Sequence, residues 1–205
     1  MLPIIQRYIL EAIKGFDTIP EERKRALHQI ISYVKKKSDA NHTPELLYIC
    51  MRNFRMSHFG QIWGSVAATY YGFPHVKTYS GGIQATVFDL GSIRIIETIG
   101  FIVKQTDNTP NPLYTIQFGD SDIHITCFSK KYDANENPAQ GFCVIMMCRE
   151  AEAALTHIDG AEVWVSTLYN EFKPSDSTDD LDDRYLESIK EIATECLYVF
   201  SRLSQ

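Results

Sequence analysis

The stretch LLYICMRNFRMS, from Leu46 to Ser57, decides the fold because it holds a buried strand, a tight loop and the start of a helix. The apolar run Leu46 to Ile49 has the length and composition of a buried strand, and Cys50 stands at its end. Ser57 opens a run whose apolar residues recur at helical spacing. Those apolar residues are Ile62, Trp63, Val66, Ala67 and Tyr70. The stretch therefore predicts a strand, loop and helix in succession.

Outside this stretch, strands and helices alternate along the chain. The predicted strands are Val76 to Tyr79, Phe142 to Met147 and Glu162 to Val165. A short helix is predicted from Ser92 to Ile99 and a long closing helix from Leu181 to Leu203. Such alternation predicts an α/β protein with a parallel sheet and right-handed crossovers. Ligands of these sheets bind at the carboxyl ends of the strands, where Cys50 falls.

Two segments lie outside this alternation. Residues 1–40 contain two helical patterns, over residues 2–14 and from Thr18 to about Lys37, which predict an N-terminal helical hairpin before a domain of residues 41–205. Two alternating stretches, Leu113 to Phe118 and Asp122 to Cys127, are separated by a Gly-Asp pair. They predict a β-hairpin inserted into the sheet domain.

The chemistry of the predicted loop centres on Cys50. A strand, a tight loop and a helix N-terminus direct backbone N–H groups and a helix dipole at one point, which favours an anion. The same field lowers the pKa of a cysteine and increases its thiolate fraction, so Cys50 is a candidate nucleophile. The alternative is that Cys50 is a small apolar residue that closes a core strand.

The surrounding residues resemble the low molecular weight protein tyrosine phosphatase and arsenate reductase family, whose loop has the form C-x5-R-S after the first strand. Cys50, Asn53 and Ser57 stand in matching places, the turn Tyr79 to Gly82 resembles the serine and glycine turn after the second strand, and Gly100-Phe101 resembles a third landmark. The stretch from Ser65 to Thr86 is similar to a branch with a helical N-terminal extension.

The resemblance implies a three-layer fold around a central parallel four-stranded sheet. It also implies that Cys50 is the nucleophile, that Ser57 hydrogen-bonds its thiolate, and that a phosphate-like anion is held by the loop. The implied anion-binding residues are Met51, Arg52, Asn53, Phe54, Arg55, Met56 and Ser57.

The loop departs from the family pattern at the position of its arginine. The arginine would fall at residue 56, where this chain has Met56. Methionine supplies neither bidentate hydrogen bonds to phosphate nor positive charge for the transition state. Arg52 and Arg55 are expected to attract an anion to the rim, and Phe54 replaces a small residue, which would reshape the pocket.

The family's general acid is an aspartate directly before a proline on a late loop. By position that loop corresponds to the stretch from Tyr169 to Lys173, with Asn170 and Glu171 in place of the acidic pair and Phe172 in place of proline. Glu171 is therefore the candidate acid, and an ordinary exposed loop carboxylate is the alternative. A thiol relay of the arsenate reductase type is incomplete, since Cys148 matches one further cysteine and Leu155 falls near the other.

Composition restricts the classes of function. The chain has 205 residues, 44% hydrophobic and 22% charged, which is typical of one globular domain, and its five cysteines contain no C-x-x-C pair. We therefore expect reduced thiols, a cytoplasmic location, and no metal or other cofactor. A net charge of −6 argues against a nucleic-acid partner, and no apolar run is long enough for a membrane span. His58, in the first helical turn, is expected at the surface.

Three functions remain open from the sequence. The first is a phosphatase-like protein with weak or lost catalysis that binds a phosphate-like anion, a phosphorylated substrate or a protein. The second is an active phosphomonoesterase in which Arg52 or Arg55 takes the arginine's role and Glu171 is the acid. The third is a thiol redox protein that uses Cys50 and Cys148. The apolar faces of the N-terminal helices also suggest a homodimer.

Overall fold

The computed structural model describes residues 1–170 and 181–203. Its helices and strands follow one another in chain order: α1 Pro3–Ile13, α2 Glu21–Asp39, β1 Glu45–Cys50, α3 Met56–Tyr70, β2 Lys77–Gly82, α4 Leu90–Ile99, β3 Ile102–Gln105, β4 Tyr114–Gln117, β5 His124–Cys127, β6 Phe142–Met146, α5 Arg149–Ala154, β7 Ala161–Ser166 and α6 Leu181–Ser201. The sheet strands, α4 and α6 all fall within a few residues of the predicted ranges, whereas β3 and α5 have no counterpart among the predicted elements.

A parallel four-stranded sheet forms the centre of the molecule, in the order β2-β1-β6-β7. Ile49 of β1 is in register with Gly81 of β2 and with Met146 of β6, so the carboxyl ends of these strands meet at one edge. Residues 46–50 are all buried, as expected for a parallel strand covered on both faces. The predicted α/β fold with a central parallel sheet and flanking helices is confirmed.

Helix α3 packs unusually close to β1 because two of its residues lack side chains. A Cβ atom on Gly60 would lie 2.4 Å from Cδ1 of Tyr48, and one on Gly64 would lie 2.6 Å from the Tyr48 hydroxyl. The Tyr48 ring thus fills the space that these glycines leave. This close contact fixes the helix N-terminus against the end of the strand.

The two N-terminal helices pack on the rest of the chain. Helix α1 begins at Pro3 and turns Ile5 and Ile9 inward, where it packs mainly against α6. Helix α2 has acidic residues in its first turn and lysines in its last, which suits the helix dipole, and it packs on β7 and α6. The buried apolar residues of both helices join the same core as the central sheet. The division at residue 40 stays a prediction.

The insertion is a three-stranded antiparallel sheet in the order β3-β4-β5, so the predicted two-stranded hairpin was incomplete. Strands β4 and β5 form that hairpin, and β3 adds to its edge with Ile102 opposite Gln117. Strand β3 is largely exposed, so its sequence carries little of the apolar alternation by which strands are recognised. It is a strand because β4 offers an unpaired edge beside it.

Candidate active site

The sulfur of Cys50 lies at the carboxyl end of β1, facing the start of α3. Its Sγ atom is 3.0 Å from Oγ of Ser57, in the first turn of that helix. The Cys50 side chain is 2% exposed and Ser57 is fully buried. The sequence-predicted pair is therefore in hydrogen-bonding contact, at the strand end and helix N-terminus where an anion would be favoured.

Asn53 ties the loop to its surroundings. Its backbone is left-handed, with φ 43°, a conformation that asparagine tolerates better than most residues. The side-chain amide donates to Oγ of Ser57 at 2.9 Å, and its oxygen accepts the backbone N–H of Lys130 at 2.8 Å. Asn53 thus fixes the Ser57 hydroxyl beside Cys50 and joins the loop to the segment after β5.

The loop carbonyls are consistently engaged by groups outside the loop. The carbonyl oxygens of Met51 and Phe54 accept the backbone N–H groups of Gln84 and Asp89, at 3.0 and 3.2 Å. That of Arg52 accepts the hydroxyls of Thr86 and Ser129. Within the described part of the chain, the N–H groups of residues 51–57 donate no hydrogen bond. Unpaired amides beside a helix N-terminus are the usual construction of an anion-binding loop.

Gly82 allows β2 to approach this loop closely. A Cβ atom on Gly82 would lie 2.5 Å from the backbone nitrogen of Asn53 and 2.4 Å from the carbonyl oxygen of Gln84. Real Cβ atoms do not make contacts this short, and neither backbone atom is free to move away without reshaping the loop. The glycine turn noted in the sequence therefore has a packing function at the site.

The side chains of Arg52, Arg55 and Met56 take different positions at the loop. Met56 is the first residue of α3 and is 1% exposed, so an apolar side chain fills that position. Arg55 extends away toward α4, with Nε 3.5 Å from Oδ2 of Asp89 and its guanidinium over the rings of Phe54 and Tyr185. Arg52 is exposed. Both sequence-predicted cations, Arg52 and Arg55, thus belong to the loop segment, and Arg55 faces an acidic partner.

His58 is buried, so the expectation of a surface position was wrong. Its Nε2 atom is 3.0 Å from the carbonyl oxygen of Asn53, Nδ1 is 3.2 Å from Oγ of Ser80, and the ring stacks on Phe88 at 4.0 Å. Burial, with a further contribution from the charge of Lys130, lowers the pKa of His58 to about 3, although the Asn53 carbonyl opposes the shift. Packing against the loop, β2 and the Phe88 ring thus makes this first-turn histidine a neutral core residue.

Of the two remaining candidate residues, the acid Glu171 and the relay cysteine Cys148, the structure describes only Cys148. Glu171 lies outside the described residues. Cys148 is fully buried at the start of α5, one position beyond Met147, whose N–H donates to the carbonyl of Ile49 at 2.8 Å. Continuing the register of Ile49 with Met146, Met147 is aligned with Cys50 and Cys148 is aligned with Met51. Because adjacent side chains of an extended chain point to opposite sides, the register does not align Cys148 with Cys50. A redox pairing with Cys50 stays a prediction.

Two residues near the loop carry no sequence signal. Asp89 caps α4 by accepting the backbone N–H of Ser92 at 2.9 Å, and it also faces Arg55. Lys130 sits in a run of polar residues, yet it is 7% exposed. Their roles depend on the chain folding back past the loop, which no local pattern encodes. Among the described residues, no group of three or more His, Cys, Asp or Glu side chains is placed to hold a metal ion.

Comparisons with known proteins identify the fold. No protein-family model matches the chain, and no curated protein matches it. Among solved structures, a YwlE mutant from Bacillus subtilis is similar with a TM-score of 0.53 at 11% identity, over 80% of this chain and 100% of that one. The low molecular weight protein tyrosine phosphatase from T. tengcongensis has a TM-score of 0.50 at 13% identity, over 78% and 100%.

A third structure agrees with these two. The protein tyrosine phosphatase from Entamoeba histolytica has a TM-score of 0.50 at 11% identity, over 78% of this chain and 97% of that one. The class that the fold defines is therefore the low molecular weight protein tyrosine phosphatase fold, as the sequence resemblance predicted. In this chain that fold carries an N-terminal pair of helices and an inserted antiparallel sheet.

Proposed function

We propose that this chain is a phosphatase-like protein that binds a phosphate-like anion in the loop of residues 51–57, with catalysis that is weak or lost. The observation that carries the proposal is the 3.0 Å contact between the Cys50 sulfur and the Ser57 hydroxyl at a helix N-terminus. A hydroxyl that hydrogen-bonds a thiolate stabilises its charge and favours the nucleophilic form. In this proposal Cys50 is a slow or vestigial nucleophile.

Weak catalysis is inferred from the residue at position 56. A buried methionine there donates no hydrogen bond and carries no charge, so position 56 does not stabilise the charge that develops on a transferring phosphoryl group. Loss of one transition-state donor typically slows a reaction about a hundredfold to a thousandfold. Ground-state binding of an anion by backbone N–H groups tolerates that loss better than turnover does.

Hydrolysis of an aryl phosphate tests the proposal. We expect little turnover by the wild-type chain, and an increase of about a hundredfold or more in kcat/KM for Met56→Arg, because a donor is restored at the loop. The matched control is Ile102→Arg, which adds the same side chain at an exposed position of β3 outside the loop and should leave the rate unchanged. Adding Cys50→Ser to Met56→Arg should abolish the gained activity. Robust wild-type turnover that Cys50→Ser abolishes would refute weak catalysis.

An active phosphomonoesterase is the second candidate. It would use Arg55, which directly precedes α3 and whose guanidinium faces Asp89 in the structure. In that case Arg55 leaves Asp89 to contact the substrate, and Glu171 donates the proton to the leaving group. The wild-type chain would then turn over aryl phosphate, Arg55→Gln would reduce kcat strongly, and Met56→Arg would add little.

The expected thiol redox role, cytoplasmic location and lack of a nucleic-acid partner are proposals as well. A thiol redox role for Cys50 and Cys148 requires that mild oxidation trap the two sulfurs as a disulfide. Within the described residues no helix is both long and apolar enough to cross a membrane. The cytoplasmic location and the lack of a nucleic-acid partner stay predictions from composition.

A further inference from the structure

Lys130 is a largely buried lysine that forms no ion pair in the described part of the chain. It is 7% exposed, whereas the adjacent Lys131 is exposed. None of the ion pairs formed by described residues includes it, and its Nζ atom lies 4.6 Å from the centre of the Phe128 ring. Burial of most of a lysine side chain disfavours its charged form unless an anion compensates the desolvation.

The backbone of Lys130 is bonded to the candidate loop. Its N–H donates to Oδ1 of Asn53 at 2.8 Å, and its carbonyl accepts the N–H of Gly82 at 3.0 Å. The backbone of Lys130 is therefore held between the anion loop and the end of β2, which itself touches the loop backbone at Asn53. The lysine comes from the segment that follows the inserted sheet, so the insertion is what brings it to the site.

The charge of Lys130 acts on His58, which contacts the loop at Asn53. It contributes to the lowered pKa of His58, whose ring contacts the Asn53 carbonyl. Burial lowers the pKa of Lys130 itself, opposed by the nearby Cys127 and Glu136. An anion in the loop would favour the charged form of Lys130 and compensate its desolvation.

We propose that Lys130 supplies the positive charge for a phosphate-class anion bound by residues 51–57, in the place of the arginine that position 56 lacks. This inference rests on the proposed function. It assigns a binding role to the inserted sheet, which delivers a cation from a different part of the chain to the same loop. An ammonium is a point charge without the planar fork of a guanidinium, so it suits binding better than bidentate transition-state recognition.

Titration calorimetry with inorganic phosphate tests the inference, on the wild-type chain, Lys130→Gln and Lys131→Gln. Lys131→Gln is the matched control because it removes the same charge one residue away at an exposed position. We expect Lys130→Gln to weaken phosphate binding about tenfold, because a nearby positive charge is lost, and Lys131→Gln to change it less than about twofold.

Thermal unfolding without phosphate separates binding from a structural role. Removal of an uncompensated buried charge should leave the Tm of Lys130→Gln equal to or above that of the wild type, while the rise in Tm on addition of phosphate is lost. Equal phosphate affinity in the two lysine variants would overturn the role of Lys130, as would a large fall in Tm of Lys130→Gln without phosphate. If the wild-type chain binds no phosphate, the proposed function itself fails.

Discussion

Asn53 is the residue on which the loop conformation depends most directly. Its left-handed backbone turns the chain between β1 and α3, and its side chain bonds both Ser57 and the backbone of Lys130. The sequence placed Asn53 at the loop through resemblance, and the structure adds its link to the insertion. Ser57 is likewise where the sequence predicted it, beside Cys50.

His58 gives a prediction at the residue scale. Because its pKa is lowered from 6.5 to about 3, the imidazole should remain neutral in the folded protein from pH 8 down to about pH 4. The Asn53 carbonyl accepts a hydrogen bond from Nε2, so the proton should sit on that nitrogen. Nitrogen chemical shifts of the labelled ring measure both properties, with the chain in denaturant as the control. A folded-state titration above pH 5 would contradict the burial argument.

At the scale of elements, α2 and α6 are joined by a buried ionic contact. Nε of Arg23 lies 3.2 Å from Oε1 of Glu195, and the Arg23 guanidinium also donates to the carbonyl of Leu168 at 2.8 Å. The hydroxyl of Tyr169 donates to the other oxygen of Glu195. One N-terminal helix is thereby linked to the closing helix and to residues 168–169, which follow β7.

Glu195 predicts a pH dependence of stability. Burial raises its pKa from 4.5 to about 7, and Arg23 and Tyr169 only partly oppose the shift. The folded protein therefore binds this proton more tightly than the unfolded chain, so the free energy of unfolding falls as the pH rises from about 4.5 to about 7. The contribution of one such group is at most about 1.4 kcal/mol per pH unit.

Denaturant unfolding at several pH values measures this slope. Glu195→Gln should remove the fall between pH 5 and 7, because its amide does not titrate there. The exposed Glu187 lies on the same helix, and Glu187→Gln is the matched control that should retain the wild-type slope. A wild-type slope that Glu195→Gln leaves unchanged would show that another group is responsible.

At the scale of the whole molecule, α1 leaves apolar side chains uncovered. Ile4 and Leu10 are 42% and 50% exposed, beside a groove of about 600 Å³ between α1, α4 and α6. Arg7 and Glu11 also line this groove, so an antiparallel contact between two copies of α1 would pair opposite charges across a twofold axis. The homodimer through the N-terminal helices stays a prediction with this geometry.

Sedimentation equilibrium measures the oligomeric state. We expect a concentration-dependent dimer that Leu10→Glu disrupts, because a charge would be buried in the contact. Leu90 is 67% exposed at the opposite end of α4 from the groove, so Leu90→Glu is the control that should leave the dimer intact. A monomer for the wild type at all concentrations would exclude the dimer.

The sequence by itself determined the parallel sheet and the succession of strand, loop and helix at Cys50, whereas the contact partner Ser57 was implied by the family resemblance. The sheet and this succession depend on periodicity and on neighbours within a few residues, which local sequence encodes. Only the tertiary structure decided that β3 is a strand, that His58 is buried and neutral, and that Lys130 meets Asn53. Each of these depends on a segment distant in the chain that supplies a sheet edge, excludes water or brings a charge, and no local pattern specifies which segment arrives there.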